Sequence, residues 1–208
     1  GSLPDHEIRV AVEYISVDAG TRTMLRGEGF HMQVGLGEPI LAGGVGKILE
    51  SNVAGWQVGD VVRGRLCAQT IATVPPEALE KIAHSNLPLS VHLGALGGST
   101  GVTAWIGVRC VAKPKPGDVF VVSAAAGAVG AVVGQIAKRD GATVIGIAGG
   151  QRKTDYLVSE LGFDAAIDYK QDDVTARLRE LAPHGVNIFF DNVGGPVLDA
   201  VLDHLAMR

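Results

Sequence analysis

Seven consecutive residues, Ala124-Ala125-Ala126-Gly127-Ala128-Val129-Gly130, carry the most specific chemistry in the chain. Aligned to G-x-G-x-x-G, they place Ala125 at the first glycine position, Gly127 at the second and Gly130 at the third. A glycine at the second position lets backbone approach a pyrophosphate, and one at the third lets the following helix pack closely on the strand. The N-terminus of that helix, at Ala128 and Val129, offers unpaired N–H groups and partial positive charge to an anion. The apolar run Asp118 to Ser123 precedes the loop and a helical pattern, Ala128 to Lys138, follows it. That context separates a dinucleotide loop from a glycine-rich turn that serves only strand–helix packing. About 20 residues further on, an NAD enzyme places an acid on the ribose 2′-hydroxyl. Here the sequence reads Gly149-Gly150-Gln151-Arg152-Lys153. Two glycines leave room for a phosphate, and Arg152 and Lys153 supply charge for it, so NADP is expected rather than NAD. The alternative is that both cations are solvated residues of a helix first turn, where they oppose the helix dipole.

Other chemistries lack their residues. Catalytic zinc in an alcohol dehydrogenase needs Cys and His ligands, and structural zinc about four close cysteines. The chain has two cysteines, Cys67 and Cys110, read as free thiols. His6, His31, His84, His92, His184 and His204 form no ligand pair at helical or turn spacing, so no metal site is expected. There is no G-x-S-x-G elbow and no Walker lysine motif.

The elements that must position the loop fall into two textures. Residues 8 to 74 read as short strands between glycine turns, as in a compact barrel or sandwich. Ile8, Val10, Val12 and Tyr14 alternate onto one strand face. Residues 75 to 93, with Pro75, Pro76 and Pro88, read as a connector. From residue 95 strands and helices alternate: strands at 118–123, 143–147, 165–169 and 186–190, helices at 128–138, 152–161, 173–181 and 197–207. The fold class is therefore α/β, with an incomplete Rossmann-type doubly wound parallel sheet over 95–208 preceded by a β-rich domain over 1–94. A full doubly wound domain has about six strands, whereas four are read here, the fourth as an open edge. The sequence is expected to be a fragment, or to take its missing strands from elsewhere. Of its 208 residues 47% are hydrophobic and 19% charged, so a packed core is available. A formal net charge of −4 without a basic stripe argues against a nucleic-acid partner. No apolar run reaches the roughly 18 residues of a membrane span, and no secretory signal is visible. A reducing, cytoplasmic setting is expected.

The segment Ser123 to Gly130, followed by Val133-Gly-Gln-Ile-Ala-Lys138, resembles the zinc-independent medium-chain dehydrogenases/reductases, in the branch of leukotriene B4 dehydrogenase/prostaglandin reductase. Further matches are Ser16-Val-Asp18 with Arg22, Leu161-Gly-Phe-Asp164, Asp168-Tyr-Lys170 and Asp191-Asn-Val-Gly-Gly195. The resemblance implies a GroES-like β-barrel catalytic domain before the Rossmann domain. It implies that Gly127 to Gly130 hold the pyrophosphate and that Lys153 and Tyr169 meet the 2′-phosphate. Asn192 would lie near the nicotinamide and Thr103 beside its ring. The implied reaction is metal-free addition of hydride from NADPH to the C=C bond of an α,β-unsaturated ketone or aldehyde. A quinone reductase and an inactive NADPH-binding protein are the alternatives, and the full-length protein is expected to be a homodimer. Departures from the family's pattern put the substrate in question. Trp105 stands where the family often has Tyr, Gly20 where it has a bulkier Tyr, and Leu96 to Gly101 runs one residue longer than usual. No catalytic acid is assigned.

Overall fold

The computed structural model describes residues 1–27, 33–83 and 86–207. His31 and His84 of the sequence reading lie outside them. The chain divides into two compact units, Gly1–Gly97 and Gly98–Arg208, against a sequence boundary placed at 94/95. The architecture is α/β, with one antiparallel and one parallel sheet.

The first unit holds β1 (Ile8–Ile15), β2 (Gly43–Ser51), β3 (Val61–Arg65), β4 (Ile71–Val74) and β5 (Leu79–Lys81). They form an antiparallel sheet in the order β4-β1-β2-β3-β5. Ile8, Val10, Ile48, Val62, Leu66 and Ala72 make its core. The alternation read along β1 holds for Ile8 and Val10 but not for Tyr14, which is 49% exposed. A register shift between Val12 and Tyr14 is the reason: an extra residue in one strand turns every later side chain over. Gly46, opposite Val12, has no room for a side chain, because a Cβ there would run into the Ala11 carbonyl. The proline-rich stretch read as a connector contains β5, fixed by Arg63. Its guanidinium donates to both Glu80 carboxylate oxygens at 2.9 and 3.0 Å and to the Leu96 carbonyl at 2.9 Å. Helix α1 (Ala19–Arg26) escapes the sequence reading: it is only eight residues long and, although amphipathic, it buries none of them.

The second unit is a parallel sheet of β6 (Val119–Ser123), β7 (Thr143–Ala148), β8 (Ala165–Asp168) and β9 (Ile188–Phe190), in the order β8-β7-β6-β9. Side chains alternate across it into two cores. Phe120, Val122 and Val144 face one side with Val133, Ala137, Leu157 and Phe163. Val121, Ile145, Ile147 and Ile167 face the other with Leu178 and Val201. Helices α3 (Ala128–Arg139) and α4 (Gln151–Ser159) cover the first face, α5 (Val174–Leu181) and α6 (Gly195–Leu202) the second. Burial on both faces is what made these strands read as continuous apolar runs.

Before the sheet, residues 98–112 form one helical stretch in which α2 (Thr103–Ile106) is flanked by wider, π-type turns. A π turn accommodates one extra residue in a helix. Gly107 lies against β9 so closely that a Cβ would enter the ring of Phe190.

The sequence pattern predicts the last helix at 197–207, whereas α6 spans Gly195–Leu202. Pro196 in its first turn favours the earlier start. The chain then leaves the helix so that Leu205 forms a parallel bridge to Val186. The Val186 N–H donates to the His204 carbonyl and the Ala206 N–H to the Val186 carbonyl, both at 2.9 Å. The entrance to β9 is thus paired on its outer side, where the sequence reading left an open edge. Among the described residues no helix is long and apolar enough to cross a membrane.

Candidate functional site

The site is built on the C-terminal ends of the parallel strands. Ser123 ends β6 fully buried, and Ala124 then takes a left-handed backbone at φ 45°. A non-glycine residue pays for that conformation, and such strain collects at functional turns. The loop is held by its own backbone: the Ala125 N–H donates to Ile147 of β7 at 3.1 Å, and the Gly127 N–H to Ala124 at 2.8 Å. Gly127 caps α3, whose first N–H groups, from Ala128, Val129 and Gly130, have no acceptor within a helix.

The two glycines of the loop do different work. A Cβ on Gly130 would lie 2.5 Å from the Ala124 carbonyl oxygen and 2.8 Å from Ala125 Cα. Gly130 is therefore the close approach of helix to loop. A Cβ on Gly127 would meet only the Ala124 oxygen, at 3.0 Å, and would otherwise project into open space. That space is a cavity of about 650 Å³ walled in part by Gly127, Gly149, Lys153, Tyr169, Val193 and Gly194.

Four residues singled out from sequence, Gly127, Gly149, Lys153 and Tyr169, thus line one cavity. Ala128, Val129 and Gly130 stand behind it in the first turn of α3. Arg152 does not line the cavity, although the sequence paired it with Lys153. One helical residue turns the side chain by about 100°. Thr103 is also absent from the wall, its hydroxyl donating to the Ser99 carbonyl at 2.6 Å. The Asn192 side chain turns inward and donates from Nδ2 to the Ser123 carbonyl at 2.9 Å, while its neighbours Val193 and Gly194 face the cavity.

Sequence reasoning missed the groups that hold these loops. The Ser123 hydroxyl donates to Asp191 Oδ1 at 2.7 Å and accepts the Asn192 N–H at 2.7 Å. Asp191 also accepts the N–H groups of Val193 at 3.1 Å and Gly194 at 2.9 Å. Burial opposes ionisation of Asp191, but the Ser123, Val193 and Gly194 donors outweigh it and hold the carboxyl below its ordinary value. The only sequence signal was an acid directly after an apolar strand, in Asp191-Asn-Val-Gly-Gly195.

A glycine loop fed by an inner strand of a doubly wound parallel sheet, opening into a cavity at the strand ends, defines a dinucleotide-binding domain by architecture. The comparisons agree with that class. A family model described as "Zinc-binding dehydrogenase" matches residues 128–208, and one described as "N-terminal domain of oxidoreductase" matches residues 1–82. The chain belongs to the medium-chain dehydrogenase/reductase family. It is 42% identical over 198 residues to a 2-alkenal reductase (NADP(+)-dependent) of Nicotiana tabacum, covering 93% of this chain and 57% of the relative. It is 36% identical over 197 residues to an NADPH-dependent curcumin reductase of Escherichia coli, covering 94% and 57%. Among solved structures, CurA of Vibrio vulnificus in complex with NADPH superposes with a TM-score of 0.88 at 36% identity, covering 99% of this chain and 62% of that one. The chain spans a little under three fifths of the length of these curated relatives. The first model's description names zinc. Among the described residues, however, no group of three or more His, Cys, Asp or Glu side chains could hold a metal ion.

Proposed function

We propose that the protein carrying this chain binds NADPH in the cavity of its parallel-sheet unit and reduces the C=C bond of an α,β-unsaturated ketone or aldehyde. The observation that carries the reading is the placing of Lys153 and Tyr169 beside Gly149 in the same cavity as Gly127. The spacing fits the group. Gly127 leaves the room a pyrophosphate needs, and the first turn of α3 aims N–H dipoles there. At the other end, a Cβ on Gly149 would lie 2.8 Å from Tyr169 Cε1 and 3.0 Å from Lys170 Cε, so bare backbone leaves the two side chains their positions. At the end of β7, where an NAD-binding domain places an acid for the ribose hydroxyls, this chain has Gly149 and Gly150, and Lys153 supplies a cation; the acid on the cavity wall, Asp173, comes from the start of α5, where its carboxylate accepts the Thr175 and Ala176 N–H groups. Bound NADPH supplies the hydride. The residues of this chain bind and orient it, and the tied loops after β6 and β9 keep the cavity wall in place. The activities for which the Nicotiana and Escherichia relatives are named support the C=C reaction class and the cofactor.

Mixing the intact protein with NADPH and an enone such as 4-hydroxynonenal should consume NADPH, followed by the fall in nicotinamide absorbance. Confirmed NADPH binding with no oxidation across a panel of enones and quinones would sink the catalytic half of the reading. Lys153→Ala should weaken NADPH binding by about 1–3 kcal/mol through loss of a charge-assisted contact, with NADH little changed. Titration calorimetry with the two nucleotides decides it, and an equal loss for both defeats the 2′-phosphate assignment.

A further inference from the structure

Asp168 ends β8 with only 7% of its surface exposed, and it does not line the cavity. A buried carboxylate is costly unless its charge is met by donors. Here one oxygen, Oδ1, accepts two backbone N–H groups, from Gly150 at 2.8 Å and from Lys170 at 3.1 Å. These belong to different loops. Gly150, at φ 97°, precedes α4, the helix that carries Lys153. Lys170 follows Tyr169, whose own N–H donates to Ala148 at 3.1 Å. The Asp168 N–H is held in turn by Asp172 Oδ2 at 3.0 Å. A single oxygen therefore ties the loop after β7 to the loop after β8, the two that bring Lys153 and Tyr169 to the cavity wall. The same bond occupies the Gly150 N–H, so that donor is withdrawn from any ligand.

We propose that Asp168 is a positioning residue for nucleotide selection: by bridging Gly150 and Lys170 it sets the separation of Lys153 and Tyr169 that accepts a 2′-phosphate. The inference rests on the NADPH reading above. Asp168 acts through these two loops and touches no part of the nucleotide. Acids that select NAD sit at the end of the second strand and reach the ribose, whereas this one sits at the end of the third and reaches backbone.

The test is calorimetric titration of NADPH and of NADH into the intact protein and its Asp168→Ala and Asp168→Asn variants, with thermal unfolding alongside. Asp168→Ala should weaken NADPH about tenfold, the worth of one charge-assisted hydrogen bond, with NADH changed by less than about twofold. Asp168→Asn keeps an oxygen that can accept both N–H groups and should restore the preference to within about threefold of the unaltered protein. If Asp168→Ala does not fold, Asp168→Glu, which displaces the carboxylate by one methylene, should show the same loss of preference. A residue that serves only the fold would lower the unfolding midpoint and leave the NADPH to NADH ratio unchanged, and that result overturns the assignment. Absence of any preference in the unaltered protein would instead defeat the NADPH reading itself, so the two failures are distinct.

Discussion

Replacing Gly127 by valine is expected to abolish binding of NADPH and NADH together while leaving the protein folded. The backbone at Gly127 is extended, with φ −81° and ψ 172°, a conformation that suits a β-branched residue. Its Cβ would find only the Ala124 oxygen within 4 Å, at 3.0 Å. The valine side chain would then stand in the space proposed for the pyrophosphate, a contact common to both nucleotides. A loss of at least about 100-fold for each is expected, against a stability change of about 1 kcal/mol or less from altering a helix N-cap. Fluorescence or calorimetric titration together with urea unfolding separates the two effects. Retained binding of either nucleotide would remove the pyrophosphate from this loop.

The second large effect falls on the fold. Gly134→Ala should destabilise the protein by about 3 kcal/mol, the upper range for overpacking a core. Gly134 faces Phe163, which is 3% exposed, and a Cβ there would enter the phenyl ring. The ring has little freedom to retreat, because a Cβ on Gly146 of β7 would already lie 2.9 Å from Phe163 Cδ2. Phe163 thus fills a slot cut by one glycine on α3 and another on β7. Adding Phe163→Leu to Gly134→Ala should recover part of the loss. A shift in the unfolding midpoint of Gly134→Ala equivalent to less than about 0.5 kcal/mol, the size of an ordinary surface change, would contradict the packing argument.

The two glycines were equally visible in the sequence, but only one was assigned a role there. Gly127 falls within a loop whose spacing has a known geometric purpose, whereas Gly134 acquires its purpose from a ring brought to it by the tertiary fold. The same division runs through the molecule. The inner strands β6 and β7 were legible because burial on both faces leaves an unbroken apolar run, and α4 and α5 because an apolar stripe repeats at helical spacing. Helix α1 is only eight residues long and buries nothing, and the stretch 98–112 departs from helical spacing at its π turns, so neither stands out in the sequence. Lys153 is legible from its place after the second strand, and Tyr169 through a family likeness. The hydrogen bonds that hold their loops are not, because they join residues far apart in the chain: Ser123 and Asp191 are 68 positions apart, and Asp168 and Gly150 are 18 apart. Phase along a helix was lost as well, which is why Arg152 was grouped with Lys153 and only Lys153 reaches the cavity.

The strand order β8-β7-β6-β9 also carries a history. As the chain is synthesised, β6 comes first, β7 and β8 add outward on one side, and only then does the chain cross back to lay β9 against the free side of β6. The wall supplied by Val193, Gly194 and α6 therefore follows the other three strands in the chain. A nucleotide has no finished pocket to grip while the first three strands assemble. A nucleotide bound there, touching the loops after β6, β7, β8 and β9 at once, would favour the state in which all four strands are paired.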